Sequence, residues 1–113
     1  MAVKITSENF ETEIIESELL VLADFYTDGC VPCKRLSPIL SEIETEYDGV
    51  LKIVKINAGV SDELAEKYDI FAAPTVVFFR DGKEIDRFTG LKNKTEIIEK
   101  IVELGGSPNS IEE

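Results

Sequence analysis

The sequence predicts an α/β fold with the element order βαβαβαββα, in which a central mixed five-stranded sheet is flanked by four helices. The nearly continuous apolar segment at residues 19–25 is typical of a buried strand, residues 51–57 are the next strand, and a helical repeat of apolar residues lies between the two. Asp81 and Gly82 form a hairpin signal between two further β-rich segments. Strands joined through a helix are parallel with right-handed crossovers, and hairpin strands are antiparallel, so the sheet is expected to be mixed.

The first elements are a short edge strand at residues 2–5 and a helix. Thr6 or Ser7 offers a side-chain cap for that helix. Its expected buried positions are Phe10, Ile14 and Ile15. The strand at residues 19–25 follows, and Asp24 is the charged residue within it.

An amphipathic helix is predicted from Cys33 to about Tyr47. Its apolar positions recur at helical spacing and are Leu36, Ile39, Leu40, Ile43 and Tyr47. The helix is expected to stop near Gly49, and Pro38 inside it is expected to introduce a kink. The strand at residues 51–57 comes next.

A short helix is predicted at residues 62–68, with Ser61 as its cap. Its buried residues are expected to be Leu64, Ala65 and Tyr68. Pro74 then opens a strand at residues 75–79, which is rich in β-branched and aromatic residues. Residues 84–89 are its expected antiparallel partner in the hairpin.

The last helix begins at a capping box formed by Asn93 and Glu96. Its buried face is expected to contain Ile97, Ile98 and Ile101, and a Gly-Gly pair at 105–106 ends it. A chain of 113 residues is long enough for one core only. We therefore expect a single domain over residues 1–106 and a polar flexible tail at 107–113.

The composition excludes several classes of partner. The net charge is −11, and no cluster of Lys and Arg is available to bind nucleic acid or an anionic membrane. No segment approaches the roughly 20 apolar residues of a membrane span, and the first residues contain no apolar stretch of signal-peptide length. These observations predict a cytoplasmic protein. Because cytosolic thiols are kept reduced, a close cysteine pair there is catalytic or metal-binding more often than structural.

The two cysteines of the chain, Cys30 and Cys33, enclose Val31 and Pro32 between the end of a strand and the start of a helix. The first turn of a helix lowers the pKa of a thiol, because its backbone N–H groups are unpaired. Pro32 fits this turn because no hydrogen bond is lost there. Binding sites gather at the carboxyl ends of parallel strands. Cys30 is therefore predicted to be a nucleophile.

Two other interpretations of the cysteine pair carry less weight. A structural disulfide closing so short a loop removes little entropy from the unfolded state. A zinc or iron–sulfur site would be two ligands short, because the sequence contains no histidine and no other cysteine. Only a dimer could complete such a site, so no metal and no cofactor is predicted.

The combination of several short motifs resembles the thioredoxin family over about residues 2–106. The matching segments are Ala-Asp-Phe-Tyr at 23–26, Cys-Val-Pro-Cys-Lys at 30–34, Pro38, Ala-Pro-Thr at 73–75, Phe-Phe-Arg-Asp-Gly-Lys at 78–83, and Gly90. The resemblance implies a thioredoxin fold and reduction of disulfides in other proteins. Thioredoxin reductase would supply the electrons, and substrates would include peroxiredoxins, ribonucleotide reductase and methionine sulfoxide reductase. A monomer is expected.

The active-site segment departs from the usual thioredoxin pattern. Thioredoxins usually carry tryptophan followed by Cys-Gly-Pro-Cys, whereas Gly29 takes the tryptophan place and Val31 the glycine place. Tyr26 stands where a second tryptophan is usual. The variant resembles thioredoxins of some amino-acid-fermenting anaerobes. It removes an indole beside the nucleophile and adds a β-branched side chain, so a changed choice of partners is expected.

The resemblance and the residues together assign roles. Cys30 attacks a partner disulfide, and Cys33 resolves the resulting mixed disulfide. If Asp24 is buried, its pKa is raised and it takes the proton of Cys33. The positive charge of Lys55 on the neighbouring strand would temper that rise in pKa. An exposed aspartate at the end of the strand is the alternative. By resemblance, the bond before Pro74 is cis. The residues expected to contact the substrate are Gly29, Val31, Pro32, Ala73, Thr75 and Gly90, with Ala72 and Leu91 completing an apolar rim and Thr75 offering its backbone.

Two other functions compete with the reduction of protein disulfides. A glutaredoxin-type glutathione enzyme is disfavoured, because Val31 and Pro32 stand where Pro-Tyr is typical there. A binding subunit whose cysteines are incidental would keep its activity without them.

Overall fold

A computed structural model describes residues 3–106, which form five strands, three α-helices and one π-helical segment. The strands are β1 Val3–Ile5, β2 Leu20–Tyr26, β3 Leu51–Asn57, β4 Thr75–Arg80 and β5 Lys83–Thr89. The helices are α1 Val31–Glu46, α2 Asp62–Lys67 and α3 Lys94–Glu103, and the π-helical segment is Glu11–Ile15. The predicted α/β class and element order are confirmed. Ala2 of the predicted first strand and the predicted tail at 107–113 lie outside the described residues.

The sheet has the strand order β1-β3-β2-β4-β5. The first three of these strands are parallel, β4 runs antiparallel to β2, and β5 runs antiparallel to β4. Because β4 is antiparallel to β2, its first residue lies beside the end of β2, and Phe25 pairs with Thr75. The segment after β2 therefore meets the segment before β4.

The two faces of the sheet carry separate apolar cores. Leu20 and Leu22 of β2 pack with buried residues of α1 and α3, whereas Val21, Ala23 and Phe25 pack with the π-helical segment and α2. Side chains along a strand alternate between the faces. Asp24 therefore continues the row of Leu20 and Leu22, on the face that α1 covers.

The predicted helix caps are only partly correct. The first helical segment begins at Glu11 after Phe10, so neither Thr6 nor Ser7 caps it. Instead, Thr6 belongs to a preceding turn, in which its backbone N–H donates to Asn9 Oδ1 at 2.8 Å and its hydroxyl accepts the backbone N–H of Glu8 at 3.2 Å. These predictions are wrong because the chain turns once more before the helical segment starts.

The cap predictions for α2 and α3 have opposite outcomes. Ser61 precedes α2 but makes no side-chain cap bond within residues 3–106. Its backbone N–H donates to the Asn57 carbonyl at 2.7 Å, so the main-chain turn after β3 sets the entry into α2. The capping box of Asn93 and Glu96 is confirmed, with both reciprocal bonds present.

Candidate active site

Cys30 and Cys33 form a disulfide at the start of α1. Cys30 is the N-cap residue, and the backbone N–H of Cys33 donates to Cys30 Sγ at 3.1 Å. The helix begins at Val31, two residues before the predicted start at Cys33. The first turn of α1 therefore contains Pro32, as the sequence analysis expected from its missing N–H.

The two sulfurs differ in accessibility. Cys33 is 6 % exposed and belongs to the buried residues of α1, whereas Cys30 is half-buried at the end of the helix. After reduction, the same backbone N–H that contacts Cys30 would stabilise a thiolate at the helix N-terminus. The arrangement places a more accessible sulfur at the end of the helix and a second, buried sulfur beneath it.

The segment before β4 lies against Cys30. Its Sγ is 3.7 Å from the carbonyl oxygen of Ala73, and the bond between Ala73 and Pro74 is cis, as predicted. Pro74 is buried, and its carbonyl accepts a hydrogen bond from Gly90 N–H at 2.8 Å. Three predicted site segments, separated widely in the chain, are thus linked in space, because Ala73 contacts Cys30 and Pro74 is hydrogen-bonded to Gly90.

Thr75 lies below this surface. It is 2 % exposed, and its hydroxyl donates to the Ala72 carbonyl at 2.8 Å. Its backbone lies in the sheet between Phe25 of β2 and Thr89 of β5. The side chain of Thr75 therefore supports the loop, and the main chain that faces Cys30 is that of Ala73.

Asp24 is buried at the end of β2. It is 1 % exposed, and neither carboxylate oxygen has a hydrogen-bond partner within the described part of the chain. Burial raises the pKa of Asp24 to about 6, while the charge of Lys55 opposes that rise. The predicted burial and the predicted direction of the pKa are both confirmed.

A cleft of about 400 Å³ opens beside Cys33. Its lining residues are Tyr26, Thr27, Asp28, Gly29, Cys33, Lys34, Ser37 and Lys55. Gly29 has φ of +76°, in the left-handed region that favours glycine. The glycine in the usual tryptophan place therefore matches the backbone of the turn that carries Cys30.

The comparisons with known proteins agree with this geometry. A sequence model of the thioredoxin family matches residues 1–103. The chain is 39 % identical over 101 residues to a thioredoxin of Rickettsia bellii, covering 89 % of this chain and 96 % of that relative. It is 42 % identical over 97 residues to a thioredoxin of Chlamydia caviae, covering 86 % and 92 %. Thioredoxin 1 of Nostoc is 33 % identical over 96 residues, covering 85 % and 90 %.

The chain belongs to the thioredoxin family. Thioredoxins are protein-disulfide oxidoreductases, and the Cys30–Cys33 pair supplies this thioredoxin with a redox-active disulfide.

Several apolar side chains are exposed in the segments that meet near Cys30 of this thioredoxin. Val31 is 60 % exposed and Leu91 42 % exposed, at two of the predicted rim positions. Phe71 is 90 % exposed in the segment that leads to Ala73, and the sequence analysis missed it. The sequence carried no signal for its exposure, because the loop that contains it has no apolar periodicity.

Two other features are absent from residues 3–106. No three Cys, Asp or Glu side chains there are arranged to hold a metal ion. None of the helices in this range combines the length and the apolar character needed to cross a membrane.

Proposed function

We propose that this thioredoxin reduces disulfides in other proteins, with Cys30 as the attacking residue and Cys33 as the resolving residue. The observation that carries the assignment is the unequal placement of the two sulfurs. Cys30 caps α1 at the surface and accepts the N–H of Cys33, whereas Cys33 is buried. A protein disulfide can reach the first sulfur and not the second.

In the first step, the Cys30 thiolate attacks one sulfur of the substrate disulfide. A bond forms between Cys30 Sγ and that sulfur, the substrate disulfide breaks, and the other substrate sulfur leaves as a thiolate. The helix N-terminus favours the thiolate form of Cys30 before the attack.

In the second step, Cys33 loses its proton to Asp24 and attacks Cys30 Sγ. The mixed disulfide breaks, the second substrate thiolate leaves, and the two electrons of the dithiol have passed to the substrate. Asp24 suits the proton transfer because its pKa, raised to about 6, lies closer to neutrality than that of an exposed aspartate. Pro74, joined by a cis bond to the Ala73 that lies against Cys30, would pack against the sulfurs.

The substrate polypeptide would lie over Gly29, Val31, Pro32, Ala73 and Gly90. These positions surround Cys30 or belong to the segments that meet there, and the Ala73 carbonyl offers a main-chain acceptor beside the sulfur. Thr75 contributes from below, by holding the Ala72 carbonyl. Recognition of an extended segment by main-chain bonds and apolar contact would suit substrates of many sequences.

The oxidised protein must be returned to the dithiol by an external reductant. We propose thioredoxin reductase for this role, and peroxiredoxins, ribonucleotide reductase and methionine sulfoxide reductase among the substrates, in the cytoplasm and with the protein acting as a monomer. The membership of the thioredoxin family supports these partners. We also propose residues 1–106 as one functional domain.

Two single variants test the assignment of the cysteines. Cys33→Ser, reduced and incubated with a disulfide-bonded protein, should accumulate a mixed disulfide at Cys30, which peptide mass spectrometry identifies. Cys30→Ser should form none and should lose turnover. A mixed disulfide formed at Cys33 in the Cys30→Ser protein, at the rate of the first variant, would reverse the roles.

Two further measurements address the rival functions. Turnover with glutathione as the sole reductant, at the rate reached with a thioredoxin reductase, would favour a glutaredoxin-type enzyme. Full activity of the Cys30→Ser, Cys33→Ser double variant in a partner's assay would favour a binding subunit. We expect neither result.

A further inference from the structure

Lys55 of β3 is held in a defined position in the cleft beside Cys33. Its Nζ donates a hydrogen bond to Ser37 Oγ at 3.0 Å and lies 5.2 Å from the centre of the Tyr26 ring. A lysine side chain is long and strongly hydrated, so an exposed ammonium usually samples many positions. Here a hydroxyl of α1 and an aromatic face of β2 restrict it.

The ammonium of Lys55 is held on the side of the sheet where Asp24 lies. Asp24 and Lys55 are partners in the register of β2 and β3, so both side chains project from the same face. On the other side of Asp24, β4 presents the apolar Val76. Ser37 lies four residues after Cys33, one turn further along α1, and therefore on the same side of that helix.

Other charged groups surround the cleft at its edges. Asp28 and Lys34 line the cleft with Lys55, from the loop after β2 and from α1. Glu44 lines a smaller depression further along α1, together with Ser37 and Lys55. Of these groups, Lys55 is the strand partner of Asp24, and its charge is the one that opposes the effect of burial on the pKa of Asp24.

We propose that Ser37 is a positioning residue for thiol–disulfide exchange: its hydroxyl fixes the Lys55 ammonium opposite Asp24, and so governs how readily Asp24 takes the proton of Cys33. The inference rests on the proposed role of Asp24 as proton acceptor. Without the hydroxyl, the four-carbon stem of Lys55 can extend into water, and its charge acts on Asp24 for less of the time. The ionised form of Asp24 then loses part of its stabilisation.

The first experiment titrates the Asp24 carboxyl by NMR in the oxidised protein, where no turnover is needed. Ser37→Ala should raise the pKa of Asp24, equivalent to about threefold tighter proton binding, less than the tenfold or more that a close opposite charge contributes. Lys55→Met should raise it further. Adding Ser37→Ala to Lys55→Met should change nothing more, because the hydroxyl acts through the ammonium.

Two matched variants control for structural disturbance. Ser37→Thr keeps a hydroxyl and should leave the pKa of Asp24 near its wild-type value. Ser41→Ala makes the same truncation one turn further along α1, and Ser41 is not hydrogen-bonded to Lys55 within residues 3–106. It should leave the pKa of Asp24 unchanged. An unmoved pKa in a folded Ser37→Ala protein, or an equal shift in Ser41→Ala, would overturn the proposal.

The second experiment follows single-turnover reduction of a small disulfide reagent as a function of pH, under conditions in which release of the mixed disulfide limits the rate. In Ser37→Ala the acid limb of the profile should move to higher pH by the shift measured in the titration. A shifted titration with an unmoved limb would overturn the role of Asp24 in the reaction. An unmoved titration would overturn the Ser37 anchor alone, so the two failures are distinguishable.

Discussion

The two sides of the Cys30–Cys33 disulfide differ in chemical character. On the outer side, Phe71, Val31 and Leu91 expose apolar surface around the accessible sulfur. On the inner side, the buried sulfur of Cys33 lies near a cleft that contains Lys55. In the function proposed above, partner recognition and proton transfer use separate groups of residues. Each should therefore respond to mutation without the other.

The sheet explains why both sides converge on one disulfide. β2 delivers Asp24 and the cysteine segment at its carboxyl end, and the antiparallel β4 begins beside that end. The loop before β4 forms part of the outer surface, whereas β3, on the other flank of β2, delivers Lys55 to the inner cleft. One strand end thus borders both environments.

The largest expected effect concerns the stability contributed by Asp24. Its pKa is about 6 in the folded protein and near 3.8 when exposed, so the unfolded chain releases this proton first. The contribution of Asp24 to the free energy of unfolding is therefore largest below pH 3.8, falls as the pH rises to about 6, and then levels off. The loss amounts to about 3 kcal/mol.

The measurement is urea unfolding of the wild type and of Asp24→Asn at several pH values. The difference between the two free energies of unfolding should move by about 3 kcal/mol in favour of the variant between pH 3.5 and 7. If the difference between the two free energies of unfolding stayed constant with pH, Asp24 would titrate like an exposed aspartate. The inner side of the disulfide would then have no carboxyl suited to accept the proton of Cys33.

The second effect is kinetic and also belongs to the inner side. Asp24→Asn should slow release of the mixed disulfide about a hundredfold at neutral pH, because Cys33 loses its general base. The initial attack by Cys30 should continue at nearly the wild-type rate. Rapid-quench mass spectrometry of the mixed disulfide separates the two steps. Equal slowing of both would contradict the division between the sides.

The third effect belongs to the outer side. Phe71→Ser should lower kcat/KM for a protein disulfide about tenfold, because the exposed ring loses its apolar contact with the partner. The rate with a small disulfide reagent and the pH profile should stay unchanged. Val102→Ser on α3 is the matched control, since Val102 is 51 % exposed and lies outside the segments around Cys30. A comparable loss in the control would remove Phe71 from the recognition surface.

The smallest effect concerns the turn that carries Cys30. Gly29→Ala should lower the free energy of unfolding by about 1 kcal/mol, because φ at this position is +76°. No described atom beyond the two neighbouring residues lies within 4 Å of the added methyl position, so backbone strain is the cause to be tested. Gly59→Ala, at a glycine without positive φ, should cost less. Thermal unfolding of both variants measures the two losses of stability. Equal losses would exclude backbone strain at residue 29 as the cause.

Local patterns were sufficient to predict much of this molecule. A nearly continuous apolar segment located β2, the spacing of Asn93 and Glu96 located a capping box, and two lone cysteines located the redox centre. The burial of Asp24 followed from its position within an apolar strand. Each of these features depends on residues close together in the chain.

The features that escaped prediction depend on distant parts of the chain or on unpatterned loops. Lys55 and Ser37 are eighteen positions apart, and only the packing of α1 on β3 joins them. Phe71 belongs to a loop, where no periodicity distinguishes an exposed ring from a buried one. The caps at Thr6 and Ser61 failed because main-chain turns preceded the helices.

The contact between Cys30 Sγ and the Ala73 carbonyl joins residues forty-three positions apart. During synthesis, both cysteines and Asp24 leave the ribosome well before β4, the strand that completes the centre of the sheet next to β2. Until β4 emerges, the nascent chain carries two thiols without the surface that would present them to a partner. Oxidoreductase activity should therefore begin only when synthesis has passed the hairpin of β4 and β5, so a ribosome stalled earlier would display an inactive dithiol.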